Sequence, residues 1–114
     1  MPTFLMRQIS WIKAALKVFN DFPPSVRGEM IEALDLVADG VFPKIAKPLK
    51  GLETGVYELA LPFSGNAWRV VYALKIDDRV WVIHAFQKKS TQGIKTQKHD
   101  IDLIEARISF LRRI

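Results

Sequence analysis

Apolar residues recur along this chain with two periods, and each change of period marks a new element. Residues 3–9 read as a short first strand. From Ser10 the spacing turns helical: Trp11, Ile12, Ala15, Leu16 and Phe19 fall on one side, and Phe22-Pro23-Pro24 stops the run. A second helix starts at Pro24-Ser25, with proline tolerated at the entry and serine suited to the cap. Its buried stripe is Val26, Met30, Leu34 and Val37, and Asp39-Gly40 ends it. VFPKIAKPLKGLETG reads as a connection, after which three strands cover residues 56–62, 68–75 and 79–87, separated by SGN and by Asp77-Asp78. Beyond a lysine-rich loop, Thr96 caps a last helix with Asp100 and Asp102 in its first turn, where the dipole favours acids. Ile101, Ile104, Ile108 and Leu111 form its apolar side, and Arg112-Arg113 suit its negative pole. The order β-α-α-β-β-β-α predicts an α+β fold: an N-terminal helical hairpin packed on a small antiparallel β-meander, with a C-terminal helix.

A two-residue loop at Asp77-Asp78 sets the register of the last hairpin. Ile76 then opposes Arg79, Ala73 opposes Val82, Val71 opposes His84, and Arg69 opposes Phe86. One face carries Trp68, Val70, Tyr72 and Leu74 with Trp81, Ile83 and Ala85, and reads as core. The other carries Arg69, Val71, Ala73, Lys75, Val80, Val82, His84 and Phe86, and runs on into Lys88 and Lys89. If that face is open at its lysine end, Arg69 and the amines converge there, a combination suited to a phosphodiester. Phe86 then offers a ring on which a base can stack. Each feature also has a plainer reading. Arg69 pairs with Glu58 on the neighbouring strand, His84 is a core histidine with satisfied nitrogens, and Lys44, Lys47 and Lys50 belong to a solvated loop.

Composition narrows the chemistry further. The 114 residues suit one domain spanning 1–114, nearly half of them apolar and a quarter charged. Cysteine is absent, which removes disulfides, thiolate metal sites and a cysteine nucleophile, and fits a cytoplasmic protein. No apolar run approaches a membrane span, and Arg7, Lys13 and Lys17 interrupt the apolar start, unlike a signal peptide. The net charge of +5 is uneven: residues 1–43 hold four basic and five acidic side chains, residues 44–98 ten and four, and residues 99–114 three of each. The excess thus sits in the middle block, as expected if one face meets a polyanion, although it also serves solubility.

No phosphate-binding glycine loop, dinucleotide fingerprint or HExxH helix occurs. His84 and His99, the two histidines, have too little acidic company for a metal site, and Ser64 has no base beside it in sequence. No metal or cofactor is expected. An enzyme built from this inventory works on phosphate with cationic side chains.

KPLKGLETGVYEL, WRVVYAL and VIHAFQKKSTQGIKTQKHDIDLIEAR, in this order and spacing, resemble the RelE/ParE toxin superfamily, and more closely its HigB-like, phage-derived branch. The similarity covers nearly the whole chain. It implies a RelE-like fold and the toxin of a type II toxin–antitoxin system. It further implies a ribosome-dependent messenger RNA endoribonuclease, in which the ribose 2′-hydroxyl attacks the adjacent phosphorus while basic side chains offset the growing charge. The partners implied are a helix-turn-helix antitoxin, the ribosome and mRNA. Exposed strand edges predict self-association when the antitoxin is missing. Carried over residue by residue, Arg69 holds the scissile phosphate, Lys88 and Lys89 fall where the family keeps a basic residue after the last strand, and Lys47 and Lys50 fall in its lysine-bearing segment ahead of the meander. With His84 and His99 the only imidazoles available, the expected catalytic set is Arg69, Lys88 and His84, and the expected RNA contacts are Lys47, Lys50, Phe86, Lys89 and Lys95. The chain ends FLRRI, without the tyrosine or histidine that many members place there as a catalytic partner. Members resembling ParE also lack it and bind DNA gyrase, so the alternative is a non-catalytic toxin or regulator acting on a protein target.

Overall fold

A computed structural model describes residues 6–89 and 95–114. Its elements are β1 (Ile9–Trp11), α1 (Lys13–Phe19), α2 (Pro24–Ala38), β2 (Ala46–Pro48), β3 (Val56–Phe63), β4 (Asn66–Ile76), β5 (Arg79–Lys89) and α3 (Lys98–Arg113). The expected antiparallel meander is β3-β4-β5, and a short strand joins it on each side to give the order β1-β5-β4-β3-β2. Two of these placements differ from the sequence expectation. Ser10 and Trp11, read as the start of the first helix, extend as β1 and pair in parallel with Trp81 and Val82, which makes the sheet mixed. The strand expected over residues 3–9 lies partly outside the described residues, and of its described part only Ile9 is in a strand. Within the lysine-rich connection, Ala46–Pro48 forms β2 against β3, with Lys47 directly opposite Glu58.

Both hairpin turns are two-residue loops with left-handed backbones, at Ser64 and Gly65 (φ 51° and 77°) and at Asp77 and Asp78 (φ 55° and 54°). That geometry matches the twist of the flanking strands, and aspartate tolerates it better than most residues.

Helices cover both faces of the sheet. On one face α1 and α2 bury Phe19, Val26, Met30, Leu34 and Val37 against Leu59, Trp68, Val70, Tyr72, Val80 and Val82. A run of tilted rings, Trp11–Phe19–Phe22–Trp68, ties the hairpin to β4 with centroid separations of 4.9, 5.4 and 5.0 Å. On the other face α3 lays Ile104, Ile108 and Leu111 over Val56, Val71, Ala73, Ile76 and Ile83. Each such aliphatic side chain contributes about 1.5–3 kcal/mol on leaving water.

A register shift between Val71 and Tyr72 corrects the expected face assignment. Val71 opposes His84 and Arg69 opposes Phe86 as anticipated, but Tyr72 opposes Val82 and Ala73 opposes Trp81. Ile83 is therefore an extra residue on β5, and the bulge reverses the side chains that follow it until a second shift, between Ala73 and Ile76, restores the expected pairing of Ile76 with Arg79. Val80 and Val82 consequently join the α1–α2 core, and Trp81 and Ile83 join the α3 core, the reverse of the simple alternation. The face bearing Arg69 and His84 is not open, because α3 packs across it.

Candidate functional site: a buried cation cluster beneath the last helix

Strand alternation and register put a polar row on the α3 side of the sheet. Lys47 of β2 opposes Glu58 of β3, which faces Val71 of β4, which faces His84 of β5. One step along, Arg69 faces Phe86, and one step further Ala67 faces Lys88. This end of the face lies beyond the apolar contacts of α3, and its charged side chains satisfy one another.

Glu58 is the centre of the row. It is fully buried, and a buried carboxylate has to be paired and hydrogen-bonded. Arg69 Nη1 donates to its Oε1 at 2.8 Å, and Thr96 Oγ1 donates to its Oε2 at 2.8 Å. Lys47 Nζ stands 3.8 Å from Oε1, with its side chain half exposed. Arg69 is itself only 3% exposed. The plainer sequence reading of Arg69, an ion pair with Glu58, is thus present in the fold. Thr96 does not cap α3 as expected. The N-cap is Gln97, without a side-chain bond, because the Thr96 hydroxyl goes to the buried carboxylate instead.

Lys88 is buried beside this pair, and its ammonium donates to the backbone carbonyl of Lys95. Burial lowers its pKa from the ordinary 10.5, and the Arg69 guanidinium lowers it further, against the opposing pull of Glu58 and Asp100.

His84 is buried as well, with both ring nitrogens engaged. Its Nε2 lies 2.8 Å from Asp100 Oδ1, and its Nδ1 lies 3.2 Å from Arg107 Nη1. A guanidinium only donates, so Nδ1 accepts, and the ring proton sits on Nε2 and is donated to Asp100. Burial drives the imidazole pKa below 6.5; Asp100 pulls it back up, and Arg107 pushes it down again. Arg107 also donates to the Ile83 carbonyl at 2.9 Å, so the bulge is held from above by α3. Phe86 stacks on the His84 ring at 4.9 Å and 21°, which occupies one of its two faces.

The fold therefore gathers Lys47, Arg69, His84, Phe86 and Lys88 on one face, but not every residue singled out in the sequence. Lys50 is exposed past Leu49, whose amide bonds Val56, at the turn end of β2 and away from Glu58. Lys89 is exposed and alternates to the opposite face from Lys88. Lys95 has an exposed side chain and contributes its carbonyl. Asp100 and Arg107 were not recognised as site residues. A signal existed, since positions 100, 104, 107, 108 and 111 share one helical stripe, and charges on a buried stripe call for partners.

Residues 17–109 match the family model described as phage derived protein Gp49-like (DUF891). The chain belongs to that family. No curated protein matches it. Among solved structures, a double mutant of the Escherichia coli toxin RelE in the free state superposes over 90% of this chain and 98% of that one, with a TM-score of 0.62 and 21% identity. The isolated E. coli RelE toxin aligns over 88% and 97% at the same identity, with a TM-score of 0.48. This Gp49-like protein thus has the RelE fold. Among its described residues, no helix is long and apolar enough to cross a membrane.

Proposed function

We propose that this Gp49-like protein is the toxin of a type II toxin–antitoxin system and an endoribonuclease acting on mRNA at the ribosome, partnered by a helix-turn-helix antitoxin. The observation that carries this reading is the meeting of Arg69, Lys88 and Lys47 at one end of the sheet's α3 face. Family membership and the RelE fold support it. In the proposed reaction the 2′-oxygen forms a bond to the adjacent phosphorus, the bond from phosphorus to the 5′-oxygen breaks, and that oxygen takes a proton from water, leaving a cyclic phosphate and a 5′-hydroxyl. Arg69 holds the phosphate and offsets its added charge. Lys88, made less basic by its surroundings, takes the 2′ proton when neutral. His84 anchors α3 over the site through Asp100, while Phe86 keeps one ring face for a base. Lys47, Lys50, Lys89 and Lys95 supply charge along the RNA path.

The test is induced expression followed by mapping of transcript ends. Growth arrest with cleavage inside codons is expected, both lost in Arg69→Ala. Arrest with every transcript intact would favour a second reading, a binding toxin that acts on a protein target such as gyrase. That alternative is motivated by the engagement of Arg69 with Glu58.

A further inference from the structure

We propose that Glu58 is the resting occupant of the anion site: its carboxylate sits where an RNA phosphate would meet Arg69, and the phosphate binds by displacing it. This rests on the reading of Arg69 as the phosphate ligand and adds how that ligand is held in reserve.

The geometry points this way on three counts. The carboxylate presents one oxygen to the Arg69 guanidinium and the other to the Thr96 hydroxyl, each at 2.8 Å, so it fills the position in which an anion meets Arg69. Lys47 approaches the same Oε1 at 3.8 Å, so three donors from β2, β4 and the lead into α3 converge on one anion. Lys88 feels Arg69, Lys47 and Glu58 together, which places a further cation in the field of the same anion. The grouping of Lys47, Arg69 and Lys88 around Glu58 is therefore partly neutralised from within. A phosphate entering beside the intact pair meets a like charge, whereas one replacing the carboxylate at Arg69 inherits the Arg69 and Lys47 cations. Thr96 then becomes a latch. It carries no charge, yet its hydroxyl fixes the carboxylate oxygen that Arg69 does not hold. Glu58 and Thr96 act here as positioning residues.

The experiment measures binding of a fluorescein-labelled 2′-O-methyl oligoribonucleotide, which lacks the attacking hydroxyl and stays intact, by anisotropy at fixed salt. The proteins are wild type, Glu58→Gln, Thr96→Val, Arg69→Ala, the double variant Glu58→Gln/Arg69→Ala, and Asp78→Asn. Asp78 is exposed at the far end of the β4–β5 hairpin, so its loss reports the general effect of one fewer negative charge. Glu58→Gln is expected to tighten binding roughly tenfold and Asp78→Asn less than about twofold, because a charge at contact distance outweighs a remote, screened one. Thr96→Val, which leaves net charge unchanged, is expected to tighten binding about threefold by loosening the carboxylate. In the double variant the gain from Glu58→Gln should vanish.

If Arg69→Ala weakens binding but neither Glu58→Gln nor Thr96→Val exceeds the Asp78→Asn control, the displacement idea is wrong while the phosphate role of Arg69 stands. If Arg69→Ala binds like wild type, both fall. Thermal melts of all variants accompany the titrations. Should Glu58→Gln fail to fold, Thr96→Val decides alone, since it keeps the buried ion pair.

Discussion

His84 shows how a single titratable residue couples the site to the stability of the fold. Its pKa is depressed from 6.5, chiefly by burial, so the folded protein favours the neutral ring and the unfolded chain takes up the proton first. The stabilisation is complete above about pH 6.5 and is lost as pH falls through the lower folded value. Urea melts at about pH 7.5 and about pH 5.5 should show the midpoint dropping on acidification. His84→Gln should flatten that drop at the cost of a lower midpoint throughout. Lys88 yields a prediction of the same sign for the reaction. As the proton acceptor of the proposed reaction it must be neutral, so cleavage should rise with pH toward a midpoint below 10.5, and Lys88→Arg, which never deprotonates at these pH values, should lose that rise. Glu58 and Thr96 were visible in the sequence only as a neighbour and a cap. Nothing local in VYELALPF says that its lone acid will be fully buried.

At the scale of elements, the turns were the most legible features and the bulge the least. The Asp77-Asp78 loop follows from turn chemistry alone, and the turn expected at SGN tightens to Ser64 and Gly65, with Asn66 opening β4. Ser64 is a poor occupant of a left-handed position, and Ser64→Asn would create the Asn-Gly pair that this turn type prefers. The variant should be more stable by about 0.5 kcal/mol, read as a small rise in Tm. The extra residue at Ile83 leaves no mark in an apolar run of valine, tryptophan and isoleucine, because both faces of β5 are buried and alternation carries no information there. The last helix was placed correctly by its stripe, yet the stripe could not say which face of the sheet it covers. Ile104 is fully buried beneath it, so Ile104→Ala should cost about 2–4 kcal/mol and be seen as a large loss of Tm. Because α3 also carries Asp100 and Arg107, the same substitution should weaken the hold on His84.

For the molecule as a whole, Lys47, Arg69 and Lys88 of the basic block meet where β2, β4 and β5 approach the lead into α3, while Lys50, Lys89 and Lys95 spread its charge over a wider surface. RNA affinity should therefore fall steeply with salt, and a Lys47→Ala, Lys50→Ala, Lys89→Ala triple variant should show a shallower log–log slope at every RNA sequence tested. Composition, periodicity and turn residues by themselves determined the α+β class, the two N-terminal helices, the β3-β4-β5 meander, the closing helix and the block in which cations accumulate, because those features depend on neighbours a few residues apart. Only the tertiary structure decided that β1 joins β5 in parallel, that a bulge exchanges two pairs of side chains between cores, and that α3 closes the cationic face. It also decided that Arg69 rests against Glu58. These are contacts between segments far apart in the chain, and in a sheet buried on both sides they are settled by packing and by the pairing of buried charge, neither of which a local pattern records.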